Sequence, residues 1–156
     1  TNLYGPNDNY NLKNGHVMAA LIRKFHEAKI KNKSEVKIWG SGKPLREFLH
    51  VDDLADAKIF IMNQIDAEKI YNNNISHLNV GTGDEISIAD LALLVKSIVS
   101  YNGNIKLDIE KPDGMMRKLL DCTRLHSYGW SHKINLEDGI KKVYKSFKKN
   151  YSAINL

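Results

Sequence analysis

His16 lies where a histidine could perform proton-transfer chemistry. It follows Asn14 and Gly15 in a polar loop and stands directly before a segment with helical spacing of apolar residues. An imidazole can accept or donate a proton near neutral pH, so this side chain could act as a general acid or base. The residue pattern by itself favours a simpler interpretation, in which His16 caps the helix or is solvated at the surface.

An aromatic ring and several cations surround a glycine-rich turn. Trp39 precedes a Gly-Ser-Gly turn, and Arg46 follows seven residues after the tryptophan. A tryptophan can stack on a base, and a guanidinium can bind a phosphate. Lys24, Arg117 and Lys118 could complete a cationic site for a phosphate-bearing ligand. The alternative is a core aromatic residue with solvated cations, and the sequence leaves both interpretations open.

Other motifs for cofactor or metal chemistry are incomplete. The turns at residues 40–42 and 81–83 do not complete a dinucleotide-binding fingerprint, and the sequence has no P-loop. Tyr144 and Lys148 match the Tyr-x-x-x-Lys spacing that lowers the pKa of a phenol. They lie in a lysine-rich helix with Tyr144 on its apolar side, so we interpret this match as coincidental. The histidines show no metal-ligand spacing, and we predict no metal site.

Composition excludes several classes of protein. With 42% hydrophobic and 26% charged residues the chain is not a disordered tail. No apolar run approaches the ~20 residues of a membrane-spanning helix, so we expect no membrane partner. The net charge is +5, and five lysines between residues 141 and 149 supply the excess, so we expect no nucleic-acid partner. A single cysteine, Cys122, excludes an internal disulfide and fits a cytoplasmic location.

Helix-like and strand-like segments alternate, which predicts an α/β fold. Helices are expected at residues 17–29 and 53–65, from an N-cap at Ser87 and from an N-cap at Asn135. Strands are expected at residues 35–39, 48–51, 77–80 and 105–109. These short strands suit a small layered domain or the second half of a larger doubly wound protein. The sequence begins with Thr1 rather than Met, and we expect it to be part of a longer protein.

Eight sequence blocks, in order along nearly the whole chain, carry a resemblance to a known family. They are Thr-Asn-Leu-Tyr-Gly-Pro at 1–6, Gly-His-Val at 15–17, Trp-Gly-Ser-Gly at 39–42, Arg-Glu-Phe-Leu-His-Val-Asp-Asp-Leu-Ala at 46–55, Asn-Val-Gly-Thr-Gly at 79–83, Lys-Pro-Asp-Gly at 111–114, Arg-Lys-Leu-Leu-Asp at 117–121 and Tyr-Gly-Trp at 128–130. On these blocks the chain resembles the GDP-L-fucose synthase family, a branch of the extended short-chain dehydrogenases/reductases.

The resemblance implies a fold and an activity. Residues 1–156 would form the C-terminal substrate-binding part of an enzyme with an NAD(P)-binding Rossmann domain, and segments near 1–5, 46–65 and 77–83 would complete that domain. The complete enzyme would convert GDP-4-keto-6-deoxy-D-mannose to GDP-L-fucose by 3,5-epimerisation and NADPH-dependent 4-reduction. The catalytic Ser, Cys, Tyr and Lys would lie upstream, so this part alone would be inactive. The complete protein would be a homodimer.

The resemblance also implies roles for individual residues. His16 would be one acid or base of the epimerisation, with an upstream cysteine as its partner, and this changes our interpretation of His16 from capping to catalysis. A base can remove a proton next to a ketone because the enolate is stabilised. The implied contacts are Thr1, Asn2, Leu3 and His16 for NADP, and Lys24, Trp39, Arg46, Asp113 and Lys118 for the GDP-sugar.

Two alternatives stay open at this point. The central blocks are shared by many nucleotide-sugar epimerases and reductases, so the ligand could be a UDP- or dTDP-sugar. A non-catalytic binding module is the other alternative, supported only by the lysine-rich last helix. Its lysines lie opposite the apolar stripe, which is also the pattern of a solvated helix face.

Overall fold

The helices form where apolar residues recur at helical spacing. The computed structural model of the chain describes residues 1–71 and 76–151. Its helices are α1 (Val17–Ile30), α2 (Val51–Gln64), α3 (Ala67–Tyr71), α4 (Ile88–Val99), α5 (Thr123–Ser127) and α6 (Leu136–Asn150). Its strands are β1 (Asn2–Tyr4), β2 (Glu35–Trp39), β3 (Leu45–Arg46), β4 (Phe48–His50), β5 (Ile86–Ser87), β6 (Asn104–Asp108) and β7 (Arg117–Lys118). The predicted α/β class is confirmed. No helix within the described ranges is long and apolar enough to cross a bilayer.

The strands form three small sheets. β1 lies parallel to β4, with Asn2 opposite Phe48 and Tyr4 opposite His50. β2 lies parallel to β6 along its whole length. The third sheet has the order β5-β3-β7, in which β3 is antiparallel to β5 and parallel to β7. All three parallel pairs are joined by long crossovers that contain helices, as parallel pairing requires.

One predicted strand, at residues 77–80, is wrong. This segment carries no strand assignment and pairs with no strand among the described residues. Its apolar residues Leu78 and Val80 alternate as in a strand, but a strand also needs a partner for its backbone N–H and C=O groups. The pattern of a single segment does not report that partner. The other predicted elements match the structure to within about two residues at their starts, as is usual for element boundaries.

Two apolar clusters hold the elements together. The larger packs α1, α4 and α6 around Ile22, Phe25 and Phe147, which are essentially inaccessible to solvent. The smaller lies under α2 and α5 and contains Leu49 and Trp130. Because α1 is anchored along one whole face in the larger cluster, the loop that leads into it has a fixed end point.

Three helices begin with a side-chain cap. Ser87 and Asn135 cap α4 and α6 as predicted, each accepting a hydrogen bond from the backbone N–H three residues on, at 3.0 and 2.9 Å. At α2 the cap is His50, whose Nδ1 accepts from the N–H of Asp52 at 3.2 Å. A helix N-terminus leaves such N–H groups without a partner inside the helix, so each cap satisfies one of them.

Asp53 lies in the first turn of α2 but does not cap that helix. Its carboxylate is buried and accepts hydrogen bonds from the backbone N–H groups of Lys133 and Ile134, at 3.0 and 3.1 Å. These bonds tie α2 to the segment before α6. Asp53 therefore stabilises a tertiary contact that lies 80 residues away in sequence.

Two imidazoles make the stability of the fold depend on pH. Burial lowers the pKa of His50, and burial together with the nearby Lys29 lowers the pKa of His26. An unfolded histidine takes up a proton near pH ~6.5, whereas these two bind a proton less readily in the native state. The unfolded state then binds more protons, so we expect the free energy of unfolding to fall between about pH 7 and pH 5.5. The free energy of unfolding at each pH is measured by urea titration with circular dichroism as the signal.

The same measurement on variants identifies the cause. His26→Gln and His50→Gln should each reduce the difference in unfolding free energy between the two pH values. His77→Gln is the matched control, because His77 is exposed. Equal unfolding free energies at both pH values in the unmodified protein would contradict the prediction.

Candidate functional site

A cavity of 530 Å³ lies between the N-terminal segment and the loop before α1. We call it the His16 cavity. The predicted cofactor contacts Thr1, Asn2, Leu3 and His16 all line it, and so does the predicted substrate contact Lys118. The structure thus brings together five predicted residues from three separate parts of the sequence.

The imidazole of His16 makes no hydrogen bond with any described residue. His16 occupies the N-cap position of α1 with an extended backbone, but its side chain accepts no bond from the helix N–H groups. In this it differs from His50, Ser87 and Asn135, which do cap their helices. The capping interpretation of His16 is therefore wrong. Its side chain is exposed at the wall of the cavity.

The loop before His16 is held by its own hydrogen bonds. The N–H of Gly15 donates to the carbonyl oxygen of Asn11 at 2.7 Å. The N–H of Asn11 donates to Oδ1 of Asn9 at 3.0 Å, and Nδ2 of Asn9 donates to Oδ1 of Asn14 at 3.2 Å. Asparagine side chains stabilise tight turns by bonding to nearby backbone in this way. The asparagine-rich composition of the loop therefore fixes the direction from which the chain enters α1.

Asn2 is fixed against the strand side of the His16 cavity. Its N–H and its Nδ2 both donate to the carbonyl oxygen of Glu47, at 3.1 and 2.8 Å. Leu3 is 40% exposed, and Oγ1 of Thr1 is buried without a hydrogen-bond partner in the described residues. A cavity wall with an exposed apolar side chain and an unsatisfied hydroxyl suits a flat ring that carries an amide.

Glu47 is a buried acid that the sequence interpretation missed. Its side chain is fully buried, and Oε1 accepts from the N–H of Gly83 at 2.8 Å, while Oε2 is buried without a partner in the described residues. Gly81 packs directly against this carboxylate. The sequence does carry a signal for it, namely an acidic residue directly before the apolar run at 48–51. A carboxylate that is buried with such a run needs a dedicated hydrogen-bonding partner, which marks it as a residue with a specific role. Glu47 links the Asn2 wall of the cavity to the turn at 81–83.

A second cavity of 220 Å³ lies against α1 and β2. We call it the Trp39 cavity. Lys24 and Trp39 line it together with apolar residues that include Leu21 and Ile38. Trp39 is 60% exposed, so its interpretation as a core residue is wrong. Nζ of Lys24 lies 5.6 Å from the centre of the Trp39 ring and donates to the carbonyl oxygen of Lys37 at 3.2 Å. Burial lowers the pKa of Lys24.

Arg46 and Lys118 are neighbours in the third sheet. They are register partners on the parallel strands β3 and β7, so their side chains lie on the same face. Arg46 donates from Nη1 to the carbonyl oxygen of Leu45 at 2.7 Å, and neither cation forms an ion pair with a described residue. Arg117 instead pairs with Glu85 at 2.8 Å. Arg117 is thereby neutralised and is not a free cation of the predicted phosphate site.

The carboxylate of Asp113 is bound by Ser41. Oδ1 accepts from the Ser41 N–H at 2.8 Å, and Oδ2 accepts from the Ser41 hydroxyl at 2.6 Å. These hydrogen bonds hold the pKa of Asp113 below its usual range. We call this pair the Asp113–Ser41 clasp. It ties the loop between β6 and β7 to the turn after Trp39, and a substrate contact by Asp113 stays a prediction.

The predicted site residues therefore fall into neighbouring groups. The loop before α1 is a shared wall of the two cavities, because His16 lines one and Gly15 lines the other. Arg46 lines a third, smaller cavity of 80 Å³. The grouping suits an extended ligand with several chemically different parts.

The Tyr144 and Lys148 pair lines neither of the two cavities. The hydroxyl of Tyr144 lies 3.1 Å from Nδ1 of His26 in a partly buried contact, and Nζ of Lys148 lies over the Tyr144 ring. Among the described residues, no group of three or more His, Cys, Asp or Glu side chains is arranged to hold a metal ion.

The sequence matches a known family and named relatives. A model of the NAD dependent epimerase/dehydratase family matches residues 1–81. The chain is 49% identical over 150 residues to GDP-L-fucose synthase 1 of Arabidopsis thaliana, which covers 96% of this chain and 44% of that protein. It is 49% identical over 154 residues to the GDP-L-fucose synthase of Escherichia coli K12, which covers 96% of this chain and 47% of that protein.

A solved structure also resembles the chain. A GDP-mannoheptose C4 reductase from Campylobacter jejuni with NADP bound superimposes with a TM-score of 0.82 at 38% identity, over 94% of this chain and 51% of the other. The chain spans about half the length of the curated relatives it matches. The predicted Rossmann-like α/β fold class is confirmed by these similarities.

Proposed function

Because this chain belongs to the NAD-dependent epimerase/dehydratase family, as its sequence blocks predicted, we propose that it is the C-terminal, substrate-binding part of a GDP-L-fucose synthase. The complete enzyme would convert GDP-4-keto-6-deoxy-D-mannose to GDP-L-fucose by 3,5-epimerisation and 4-reduction. The convergence of His16, Lys118 and the N-terminal segment on one cavity carries this proposal. The 49% identity to GDP-L-fucose synthases supports the choice of substrate.

We propose NADPH as the cofactor, which would supply a hydride to the C4 ketone when bound. The His16 cavity fits one end of such a cofactor. Oγ1 of Thr1 offers an unsatisfied hydrogen-bonding group for a carboxamide, and the exposed Leu3 offers an apolar surface for a ring. Asn2 holds this wall in place through Glu47. Residues for the remainder of the cofactor would be supplied by the upstream half of the complete enzyme.

His16 would exchange protons at the sugar. A proton on the carbon beside a ketone is acidic because the resulting enolate is stabilised by hydrogen bonds to its oxygen. The imidazole of His16 is exposed at the cavity and has no hydrogen bond to a described residue. It can therefore approach such a carbon without first breaking another contact. Its partner acid or base would be a cysteine upstream.

The cations and the exposed ring would bind the GDP part of the substrate. A diphosphate is recognised by ammonium and guanidinium groups that have no acidic partner. Arg46 and Lys118 are adjacent and free of ion pairs with described residues, and Lys24 stands over Trp39. Asp113 would contact the same substrate from a loop that its clasp with Ser41 holds in place.

We also propose that residues 1–5, 46–65 and 77–83 complete a Rossmann domain of the complete enzyme. The β1-β4 pair supports this, because two-stranded parallel sheets are rarely stable by themselves. The segment 77–80 has strand-like alternation but no strand partner among the described residues.

We propose a cytoplasmic location, since a buried free thiol at Cys122 fits a reducing compartment. The complete protein would be a homodimer that binds no nucleic acid or membrane.

A GDP-sugar C4 reductase without epimerase activity is the second candidate function. It is favoured by the similarity to the GDP-mannoheptose C4 reductase from Campylobacter jejuni. The two candidates differ in whether protons at C3 and C5 exchange with solvent. Incubation in deuterated water without NADPH separates them, because only an epimerase incorporates deuterium at these carbons.

The complete polypeptide should oxidise NADPH when given GDP-4-keto-6-deoxy-D-mannose, and chromatography should identify GDP-L-fucose as the product. Absorbance at the NADPH band measures the rate. The matched control is the same reaction with a dTDP-4-keto-6-deoxy sugar, which should be slower. No oxidation at micromolar enzyme, in a preparation shown to be folded, would contradict the proposal.

A further inference from the structure

The loop between β6 and β7 places an unassigned lysine beside Trp39. Nζ of Lys111 lies 6.0 Å from the centre of the Trp39 ring, and Nζ of Lys24 lies 5.6 Å from the same point. Both distances are within the range of a cation–π contact. Asp108 is the register partner of Trp39, and Glu110 precedes Lys111, yet neither acid forms an ion pair with these lysines in the described structure. One exposed ring thus has two ammonium groups that no acid neutralises.

The backbone on both sides of Lys111 is fixed. Its own N–H donates to the carbonyl oxygen of Asp108 at 3.1 Å, which closes the turn after β6. Two residues further on, the Asp113–Ser41 clasp attaches the loop to the turn that follows Trp39. Gly40 in that turn lies directly against the Asp113 carboxylate. Lys111 is therefore held near the ring by bonds on either side of it, although its side chain is exposed.

Two like charges that share one ring repel each other, and a bound anion would remove this repulsion. A ligand that suits the arrangement presents an aromatic base to Trp39 and anionic groups to the two lysines. We propose that Lys111 is a further substrate-binding residue, which contacts the diphosphate of a nucleoside diphosphate whose base stacks on Trp39. This inference rests on the proposed function, because it concerns the same GDP-binding site.

Calorimetry with the complete polypeptide tests it, using GDP and guanosine as probes. Lys111→Met should weaken GDP binding about tenfold, the loss expected for one charge-assisted contact. It should leave guanosine affinity within about twofold, because guanosine carries no phosphate. Lys111→Gln should reproduce the loss, and Lys111→Arg should retain most of the GDP affinity. Lys145→Met is the matched control, since Lys145 is exposed on α6.

The outcomes separate the inference from the function on which it rests. If the folded, unmodified protein binds no GDP, the proposed function and the inference both fall. If it binds GDP and Lys111→Met binds equally well, the inference alone falls. An equal loss of GDP and guanosine affinity would also overturn it, because the lysine would then act on the position of Trp39 and not on a phosphate.

Discussion

His16→Gln should lower the turnover of the complete enzyme about 10²–10⁴-fold, the usual contribution of a general acid or base. Glutamine has a similar size and polarity but cannot exchange a proton near neutral pH. The loss should appear in deuterium exchange at C3 and C5 as strongly as in NADPH oxidation, because epimerisation precedes reduction in the proposed sequence. NADPH affinity, measured by fluorescence titration, should change far less than turnover.

The stability of the His16→Gln variant distinguishes a catalytic role from a structural one. The His16 imidazole has no hydrogen bond to a described residue and is exposed, so its replacement should leave the urea midpoint unchanged. A structural role would instead lower the midpoint along with activity. His77→Gln is the control, because His77 is also exposed but does not line the His16 cavity. Unchanged turnover in His16→Gln would assign this residue to the surface.

Local features of the fold could be predicted because they depend on neighbours in sequence. The apolar spacing of α1 and the capping pairs at Ser87 and Asn135 each involve residues within one or two helical turns. The structure reproduces them almost without change. The strand at 35–39 was predictable for the same reason, since its alternation of buried and exposed residues is visible within five positions.

Features that depend on long-range contacts could not be predicted in this way. The role of Asp53 depends on the backbone of Lys133 and Ile134, and that of Asp113 depends on Ser41. In both cases a carboxylate accepts hydrogen bonds from a segment more than 70 residues away in sequence. Sequence spacing carries no information about such partners. The contact between Lys111 and Trp39 belongs to the same class, because it requires the parallel pairing of β2 with β6.

The grouping of the site came from the resemblance and not from residue spacing. Spacing alone favoured capping for His16 and left Trp39 open between core and ligand roles. The structure decides part of this, since His16 makes no capping bond and Trp39 is exposed. Arg117 is the opposite case. From the sequence it was a candidate cation for the phosphate site, but in the structure it forms an ion pair with Glu85. Whether a charged side chain is available to a ligand is therefore a property of packing.

Gly15→Ala should reduce turnover about 10²-fold without removing any catalytic group. A Cβ on Gly15 would lie 2.5 Å from the carbonyl oxygen of Asn11, and it would also press on the carbonyl oxygen of Asn9. Both obstacles are backbone atoms in a loop held by hydrogen bonds, so no side chain can rotate away. The loop must shift by a distance on the order of 1 Å, and a misplacement of that size at a reacting group costs about this factor.

The residue after Gly15 is His16, and α1 behind it is anchored in the larger apolar cluster. The shift must therefore be absorbed by the loop and by the imidazole, while the helix stays in place. We expect unchanged helical circular dichroism, a loss of about 1–3 kcal/mol in unfolding free energy from overpacking, and reduced turnover even well below the unfolding midpoint. Asn14→Ala is the comparison variant: it removes one exposed hydrogen bond of the same loop but introduces no clash with backbone, so its loss of turnover should be much smaller. Full activity in Gly15→Ala would show that this loop does not position His16, and the catalytic assignment would then rest on His16→Gln alone.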